Sequence, residues 1–112
     1  MTVQVVQMFP PTTLTTSAAT LYTVSGSDTA ILARGRIRFT NTSASAVTVT
    51  AYGVVSGDTA GAGNTFCQTQ TVLANGNLDM DIPVILNGGF IQALASTGGV
   101  VTAHSLDGVL FS

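Results

Sequence analysis

His104, Ser105 and Asp107 are the residues of this sequence whose types most resemble a nucleophilic catalytic triad. A triad requires its three side chains to converge within hydrogen-bond reach of one another. The segment around them reads as a β-strand, and neighbouring side chains of a strand point to opposite faces. His104 and Ser105 would therefore diverge. We interpret the histidine as an ordinary polar residue of a strand, and we predict no catalytic residue and no enzymatic activity.

Metal-binding chemistry has few candidate ligands. The sequence contains one histidine, one cysteine (Cys67), no glutamate, and a close pair of carboxylates at Asp79 and Asp81. Zinc requires three or four ligands with recognisable spacing, and calcium requires more oxygen donors than two carboxylates supply. The glycine-rich segment 57–63 lacks the lysine and the following helix of a phosphate-binding loop. We therefore predict no metal site and no cofactor, and we interpret Cys67 as a small buried apolar residue.

Arg34, Arg36 and Arg38 are the only basic residues of the chain, and they occupy alternate positions of one short run. On a strand they form a single outward stripe, and Asp79 and Asp81 form a second stripe with the same two-residue spacing. The two stripes could interlock across adjacent strands or across a subunit boundary. Our hypothesis is that the arginine stripe is an interface element that meets carboxylates of a sister subunit or of an acidic shell protein. The alternative is a solvated outer face that prevents the sheet from adhering edge to edge.

The composition limits the possible partners. The chain has 112 residues, of which 46% are hydrophobic and only 7% charged, with a formal net charge of -2 and a pI near 4.7. Broad attraction to nucleic acid or anionic lipid depends on many lysine and arginine side chains, so we predict neither nucleic acid nor a membrane as a partner. No apolar run approaches the roughly 18 residues of a membrane span, and no targeting segment is visible. The length predicts one domain.

The uncharged residues that are abundant in this chain favour β-strands. Threonine alone has 18 copies, and valine, alanine, serine and glycine are also abundant. Short polar or glycine-rich clusters predict turns at 25–28, 41–45, 56–58, 75–77, 87–89 and 97–99. The runs between them predict strands at about 3–8, 20–24, 30–40, 46–55, 65–73, 78–86, 90–96 and 100–111. No window shows the apolar stripe of a helix, apart from a turn near 59–64.

A two-residue period in three of these runs assigns their inner faces. In the run 30–40, alternate residues from Ile31 to Phe39 are predicted to face the core, opposite the arginine stripe. In the next run the predicted inner residues are Val47, Val49, Ala51 and Val55. In the run 78–86 they are Leu78, Met80, Ile82, Val84 and Leu86.

Short strands at this spacing, joined by tight turns, predict an all-β fold. We expect a single antiparallel β-sandwich of seven to eight strands, either a jelly roll or an immunoglobulin-like Greek key, over residues 14–112. Residues 1–13 are predicted to form an extended N-terminal arm or edge strand, because the adjacent Pro10 and Pro11 cannot donate to a central ladder. The arm also carries Met8 and Phe9, and it packs either on its own domain or on a neighbouring subunit. These four residues therefore join the candidate interface.

Four stretches of the sequence carry a resemblance to known proteins. They are Ala18–Val24 (AATLYTV), Arg36–Ser43 (RIRFTNTS), Ala46–Thr50 (AVTVT) and Val84–Ala93 (VILNGGFIQA). In this order they resemble small β-sandwich virion structural proteins of tailed bacteriophages, over residues 18 to about 110. The resemblance implies a non-enzymatic capsid decoration (cement) protein, with a tail, neck or head-fibre component as the alternative. It also implies a homotrimer or other symmetric oligomer, a major capsid or other virion protein as partner, and a virion location after synthesis in the host cytoplasm.

A glycan-binding β-sandwich module is the alternative from another functional class. Sugar sites usually stack aromatic rings on the pyranose faces, and this chain has no tryptophan and only Tyr22 and Tyr52 as polar aromatic residues. Hydrogen bonds from threonine-rich loops would have to replace the stacking. The composition therefore favours the virion structural role.

Overall fold

The strands follow the runs of β-branched residues between the polar clusters. The computed structural model describes residues 3–24 and 31–111, without the side chains at 3, 31–34, 110 and 111. Nine strands lie in these ranges: β1 (Val3–Val5), β2 (Thr12–Thr13), β3 (Ala19–Thr23), β4 (Ile31–Asn41), β5 (Val47–Val54), β6 (Thr65–Val72), β7 (Asn77–Asp81), β8 (Phe90–Ala95) and β9 (Val101–Phe111). A 3₁₀ turn spans Ala62–Asn64. The turn predicted at 25–28 lies outside the described residues.

The strands form two antiparallel sheets. Sheet A has the order β1-β9-β4-β7, with β2 also pairing with β9, and sheet B has the order β3-β8-β5-β6. The pairs are nested along the chain, since β5 pairs with β6, β4 with β7, β3 with β8 and β2 with β9. This nesting of the eight strands β2–β9 is the connectivity of a jelly roll. The predicted β-sandwich is confirmed, and the pairing decides between its two topologies.

The core lies between the two sheets and is filled by alternate residues of the strands. β5 is buried at Val47, Val49 and Ala51 and half-buried at the positions between them. Ile37 and Phe39 of β4 are fully buried opposite, together with alternate residues of β8 and β9. Each fully buried Val, Ile or Phe side chain contributes roughly 1.5–3 kcal/mol relative to exposure, so this alternation selects the inward face of every strand.

Two predicted inner faces end earlier than the sequence indicates. Val54 is buried and Val55 is 64% exposed, because β5 ends at Val54 and the carbonyl of Val55 accepts the turn hydrogen bond of the Asp58 N–H. Val84 and Leu86 were predicted to face the core and are exposed. β7 ends at Asp81, two residues before a proline that has no N–H to donate to a ladder.

Asn41 is a polar residue inside the core. Its side chain is 1% exposed, and its Nδ2 donates to the carbonyls of Ser45 at 2.8 Å and Val72 at 3.2 Å. Its Oδ1 accepts hydrogen bonds from the N–H and the hydroxyl of Ser43. A buried amide is tolerated when its donors and acceptors are satisfied, so Asn41 fixes the β4–β5 turn against the end of β6.

The N-terminal arm packs on sheet A of its own chain. Gly35 of β4 and Gly108 of β9 face each other across the ladder, and the Met8 side chain lies over both. An ideal Cβ on Gly108 would lie 2.5 Å from Met8 Cγ, and one on Gly35 would lie 3.1 Å from Met8 Cε. The Met8 N–H also donates to Ser105 Oγ at 3.0 Å. Two glycines therefore provide the space that the arm occupies.

Candidate functional site

The outer face of sheet A brings the two predicted charged stripes together. β4 and β7 are antiparallel neighbours, and their register places Arg36 opposite Asp81 and Arg38 opposite Asp79. Both stripes have a two-residue spacing, so one register aligns both pairs on the same face. The contact is between adjacent strands of one chain, which is one of the two arrangements that the sequence left open.

The two pairs differ in geometry. Arg38 donates from Nε to Asp79 Oδ1 at 2.7 Å and from Nη2 to Asp79 Oδ2 at 2.8 Å. Arg36 lies farther from its carboxylates, at 3.9 Å from Asp79 Oδ2 and 3.7 Å from Asp81 Oδ1. A bidentate arginine–carboxylate pair is among the stronger surface interactions, whereas contacts near 4 Å contribute little. Arg38 and Asp79 therefore form the stronger ion pair, and Arg36 interacts only weakly with its two carboxylates.

Protonation equilibria follow the same geometry. The hydrogen bonds from Arg38 are the main cause that holds the pKa of Asp79 below its ordinary value; burial opposes them, and the charges of Arg38 and then Arg36 lower the pKa further. The Asp79 carboxylate in turn raises the pKa of Arg38. Both groups are therefore ionised at neutral pH, and the pair persists until acid protonates Asp79.

β9 completes the charged face on the other side of β4. His104 lies opposite Arg38, and Asp107 lies opposite Arg36. The ladder shifts register between these two pairs, and Oδ1 of Asp107 is buried without a hydrogen-bond partner in the described part of the chain. Ser105 lies on the core side, where it accepts the hydrogen bond of the Met8 N–H. His104 and Ser105 thus face opposite sides of β9 and do not converge.

The predicted interface residues separate into two sets. Arg36, Arg38, Asp79 and Asp81 are together on the outer side of sheet A, whereas Met8 and Phe9 are buried at 6% and 3% exposure on the core side. Pro10 and Pro11 are exposed on the arm. The backbone of Arg34 pairs with Val109, and its side chain lies outside the described part of the structure. Contact of either set with another subunit stays a prediction.

The charged face has limited capacity to bind a metal ion. Both oxygens of Asp79 accept hydrogen bonds from Arg38. Within residues 3–24 and 31–111, no three His, Cys, Asp or Glu side chains are grouped as metal ligands. The described residues also contain no helix long and apolar enough to cross a membrane.

Sheet B presents the opposite kind of surface. Its four strands contain no Asp, Glu, Lys, Arg or His, while the described charged side chains of strands all lie on sheet A. The outer face of sheet B is formed by uncharged residues, among them Thr48, Thr50, Tyr52, Gln92 and Leu94. The scarcity of charge is visible in the composition, but its concentration in one sheet is not. Comparing the charge of the strand runs one by one would have shown it.

An apolar patch lies at the end of the sandwich where the β5–β6 and β7–β8 connections meet. We call Val55, Val84 and Leu86 the end patch; their exposures are 64%, 57% and 59%. They line a shallow groove of about 150 Å³ together with Pro83 and Ile85. Single exposed apolar residues are common, but a contiguous group is typical of a surface that a partner covers.

The two tyrosines do not form a common aromatic platform. Tyr22 packs partly against the core, and this burial raises the pKa of its hydroxyl. Tyr52 lies on the outer face of sheet B, in line with Thr48 and Thr50. Stacking on a sugar ring requires exposed ring faces, so this arrangement does not favour the glycan-binding alternative.

The comparisons with known proteins concern the fold. No family model matches the chain, and no curated protein matches it. Among solved structures, the chain is similar to a chain in the structure of infectious bursal disease virus, Gx strain, with a TM-score of 0.53 and 13% sequence identity. The alignment covers 97% of this chain and 32% of that chain, so this chain spans about a third of its length. The likeness shows that the whole jelly roll is shared with part of a protein from a virus structure.

Proposed function

We propose that this protein is a non-enzymatic structural subunit of a virus particle. The observation that carries the proposal is the uncharged outer face of sheet B on a jelly-roll sandwich. The centre of a protein–protein interface is depleted of charged residues, whereas the free surface of a soluble domain is rich in them. A four-stranded face without charge is therefore suited to be covered by a neighbouring subunit. The fold shared with a chain from a virus structure supports the same role.

The more specific proposal is a capsid decoration protein of a tailed bacteriophage. Such a protein covers a shell protein with a wide neutral surface, is present in the virion after synthesis in the host cytoplasm, and associates with copies of itself as a trimer or another symmetric oligomer. The four sequence stretches quoted above support this version. A tail, neck or head-fibre subunit uses the same kind of surface and is the second version of the proposal.

The two sheets then have different roles. Sheet B, with the end patch beside it, faces the partner, because uncharged side chains lose much less solvation free energy than charged ones when water is removed. Sheet A, with Arg36, Arg38, Asp79 and Asp81, faces solvent and keeps the particle surface charged. The charged residues then limit edge-to-edge adhesion, which is the alternative that the sequence left open for the arginine stripe.

A pair of matched substitutions tests the proposal. Thr48 lies on the outer face of sheet B and Thr102 on the outer face of sheet A, and both are half-buried. Virus particles from lysates that contain the chain are purified on density gradients, and its copy number per particle is measured by mass spectrometry. The expected result is many copies of the wild type and of Thr102→Lys, and at least tenfold fewer copies of Thr48→Lys. Absence of the wild type from particles, or equal incorporation of both variants, would contradict the proposal.

A further inference from the structure

Three of the four sheet edges carry features that hinder pairing with another strand. β7 carries Asp79 and Asp81, so two copies of this edge would bring carboxylates together. The ladder of β3 shifts register between Thr20 and Tyr22. The β6 ladder also shifts register, and Thr69 there has a φ of 46°. Charges, bulges and irregular backbone are the usual means by which an edge strand avoids association.

The fourth edge is formed by β1 and β2, which both pair with β9, and its β1 part lacks these features. Its register with β9 is regular from Val3 to Val5, and it has no charged residue and no proline. The side chain of Val5 is 78% exposed, which is the highest exposure among the large apolar side chains described. Strand β1 is therefore an open, neutral and partly apolar edge.

The backbone groups at this edge can be assigned from one hydrogen bond. The Val6 N–H donates to the Gly108 carbonyl at 2.8 Å, so Val6 and Gln4 direct their N–H and C=O groups towards β9. In an antiparallel ladder these directions alternate from residue to residue. The N–H and C=O groups of Val3 and Val5 therefore point away from β9, to the open side of the sheet.

We propose that β1 pairs with β1 of a second copy of this chain, antiparallel across a two-fold axis at Gln4, so that two A sheets become one continuous sheet. Val3 of one copy exchanges both backbone hydrogen bonds with Val5 of the other, and symmetry makes four bonds in total. A second copy fits this edge because a neutral strand meets an identical neutral strand without like-charge repulsion, which β7 would not allow. The pairing is short and therefore weak. It rests on the proposed function, because copies held side by side on a virus particle have the high local concentration that such a weak contact requires.

Disulfide trapping tests this register. In the proposed pairing the two Gln4 residues face each other at a non-hydrogen-bonded position, where Cα atoms are about 4.5 Å apart and a disulfide is allowed. Gln7 is also exposed and lies on the same arm, but its two copies would be roughly 20 Å apart. We expect Gln4→Cys to form a covalent dimer in oxidised glutathione and Gln7→Cys to remain monomeric. The native Cys67 is buried and is retained in both variants.

A second substitution separates strand pairing from simple proximity. Val5→Pro removes the outward N–H of each copy and leaves the hydrogen bonds to β9 in place. Because it removes two of the four bonds, it should lower the trapping rate of Gln4→Cys roughly tenfold or more. Equal trapping at positions 4 and 7, an unchanged rate with Val5→Pro, or a trimer without the link at position 4 would overturn the proposal. Thr48 lies on sheet B, away from β1. The incorporation of Thr48→Lys into particles therefore tests the proposed function independently, and it can give the expected result even if disulfide trapping at β1 fails.

Discussion

The glycine pair under the arm leads to a quantitative prediction. A Cβ on Gly108 would lie 2.5 Å from Met8 Cγ and 3.2 Å from the Val6 carbonyl, so Gly108→Ala must displace Met8 near the root of its side chain. The same change at Gly35 meets only the flexible ends of Met8 and Ile82, at 3.1 and 3.2 Å. Neither glycine has a positive φ, so backbone strain does not contribute.

The expected magnitudes follow from these contacts. Gly108→Ala should destabilise the protein by about 1–3 kcal/mol, as overpacking does in a filled core, and Gly35→Ala by less than about 1 kcal/mol. Met8→Ala should cost about 2–5 kcal/mol through the space it leaves. In the Met8→Ala background, Gly108→Ala should become close to neutral, because the displaced side chain is absent and alanine restricts the unfolded chain.

Urea unfolding measures this double-mutant cycle. With a denaturant slope of about 1–3 kcal/mol per molar, the Gly108→Ala midpoint should fall by on the order of 1 M. The slope itself should not change if the arm only shifts. The reasoning is refuted if Gly108→Ala and Gly35→Ala cost the same, or if the cost of Gly108→Ala persists in full when Met8 is alanine.

The remaining predictions concern single residues. Asn41→Leu should lower stability by about 1–3 kcal/mol and the melting temperature by about 4 °C or more, because the groups around this buried amide lose their partners; an unchanged melting curve would contradict this. Since the pKa of Asp79 is lowered by Arg38, its contribution to stability is complete above the ordinary pKa of an unfolded aspartate, about 3.9, and is lost as the pH falls through the lower folded value. The acid loss of stability, followed by urea midpoints, should flatten in Asp79→Asn and to a somewhat smaller extent in Arg38→Gln, where Arg36 remains; an undiminished acid loss in Arg38→Gln would contradict the role of Arg38. Burial raises the pKa of the Cys67 thiol, so its reaction with a disulfide reagent should be on the order of 100-fold slower in the folded than in the unfolded protein, and comparable rates would contradict its burial.

The strands were predictable because their signals are local. Turn clusters and two-residue periods depend only on neighbouring residues, and the predicted run 46–55 corresponds to β5 at 47–54. The errors occur where a strand ends. Val84 and Leu86 continue the alternation of β7 in the sequence, but the chain leaves the sheet before Pro83. A periodic pattern shows which face a residue would occupy, and it does not show whether the strand still has a neighbour.

The charged residues of the candidate site could be predicted from the sequence, but their individual contacts could not. The equal spacing of Arg36 and Arg38 with Asp79 and Asp81 indicated that the stripes could align, and the register of β4 and β7 aligns them. Which carboxylate Arg38 would bind depends on that register, which is set by the whole sheet. The contact of Met8 with Gly108 had no local signal, because the two glycines become neighbours only when β4 and β9 pair.

The nested strand pairs also impose an order on folding. The β5–β6 hairpin joins neighbouring parts of the chain, whereas the hydrogen bond from Met8 to Ser105 joins residues 97 positions apart. Closing such a loop costs more chain entropy, so high-contact-order pairs form late and slowly. During synthesis the arm emerges long before β9 and has no strand to pair with until β9 is complete. In that interval its apolar residues are accessible to the arm of another nascent chain, so two chains can become entangled before the last step of folding is complete.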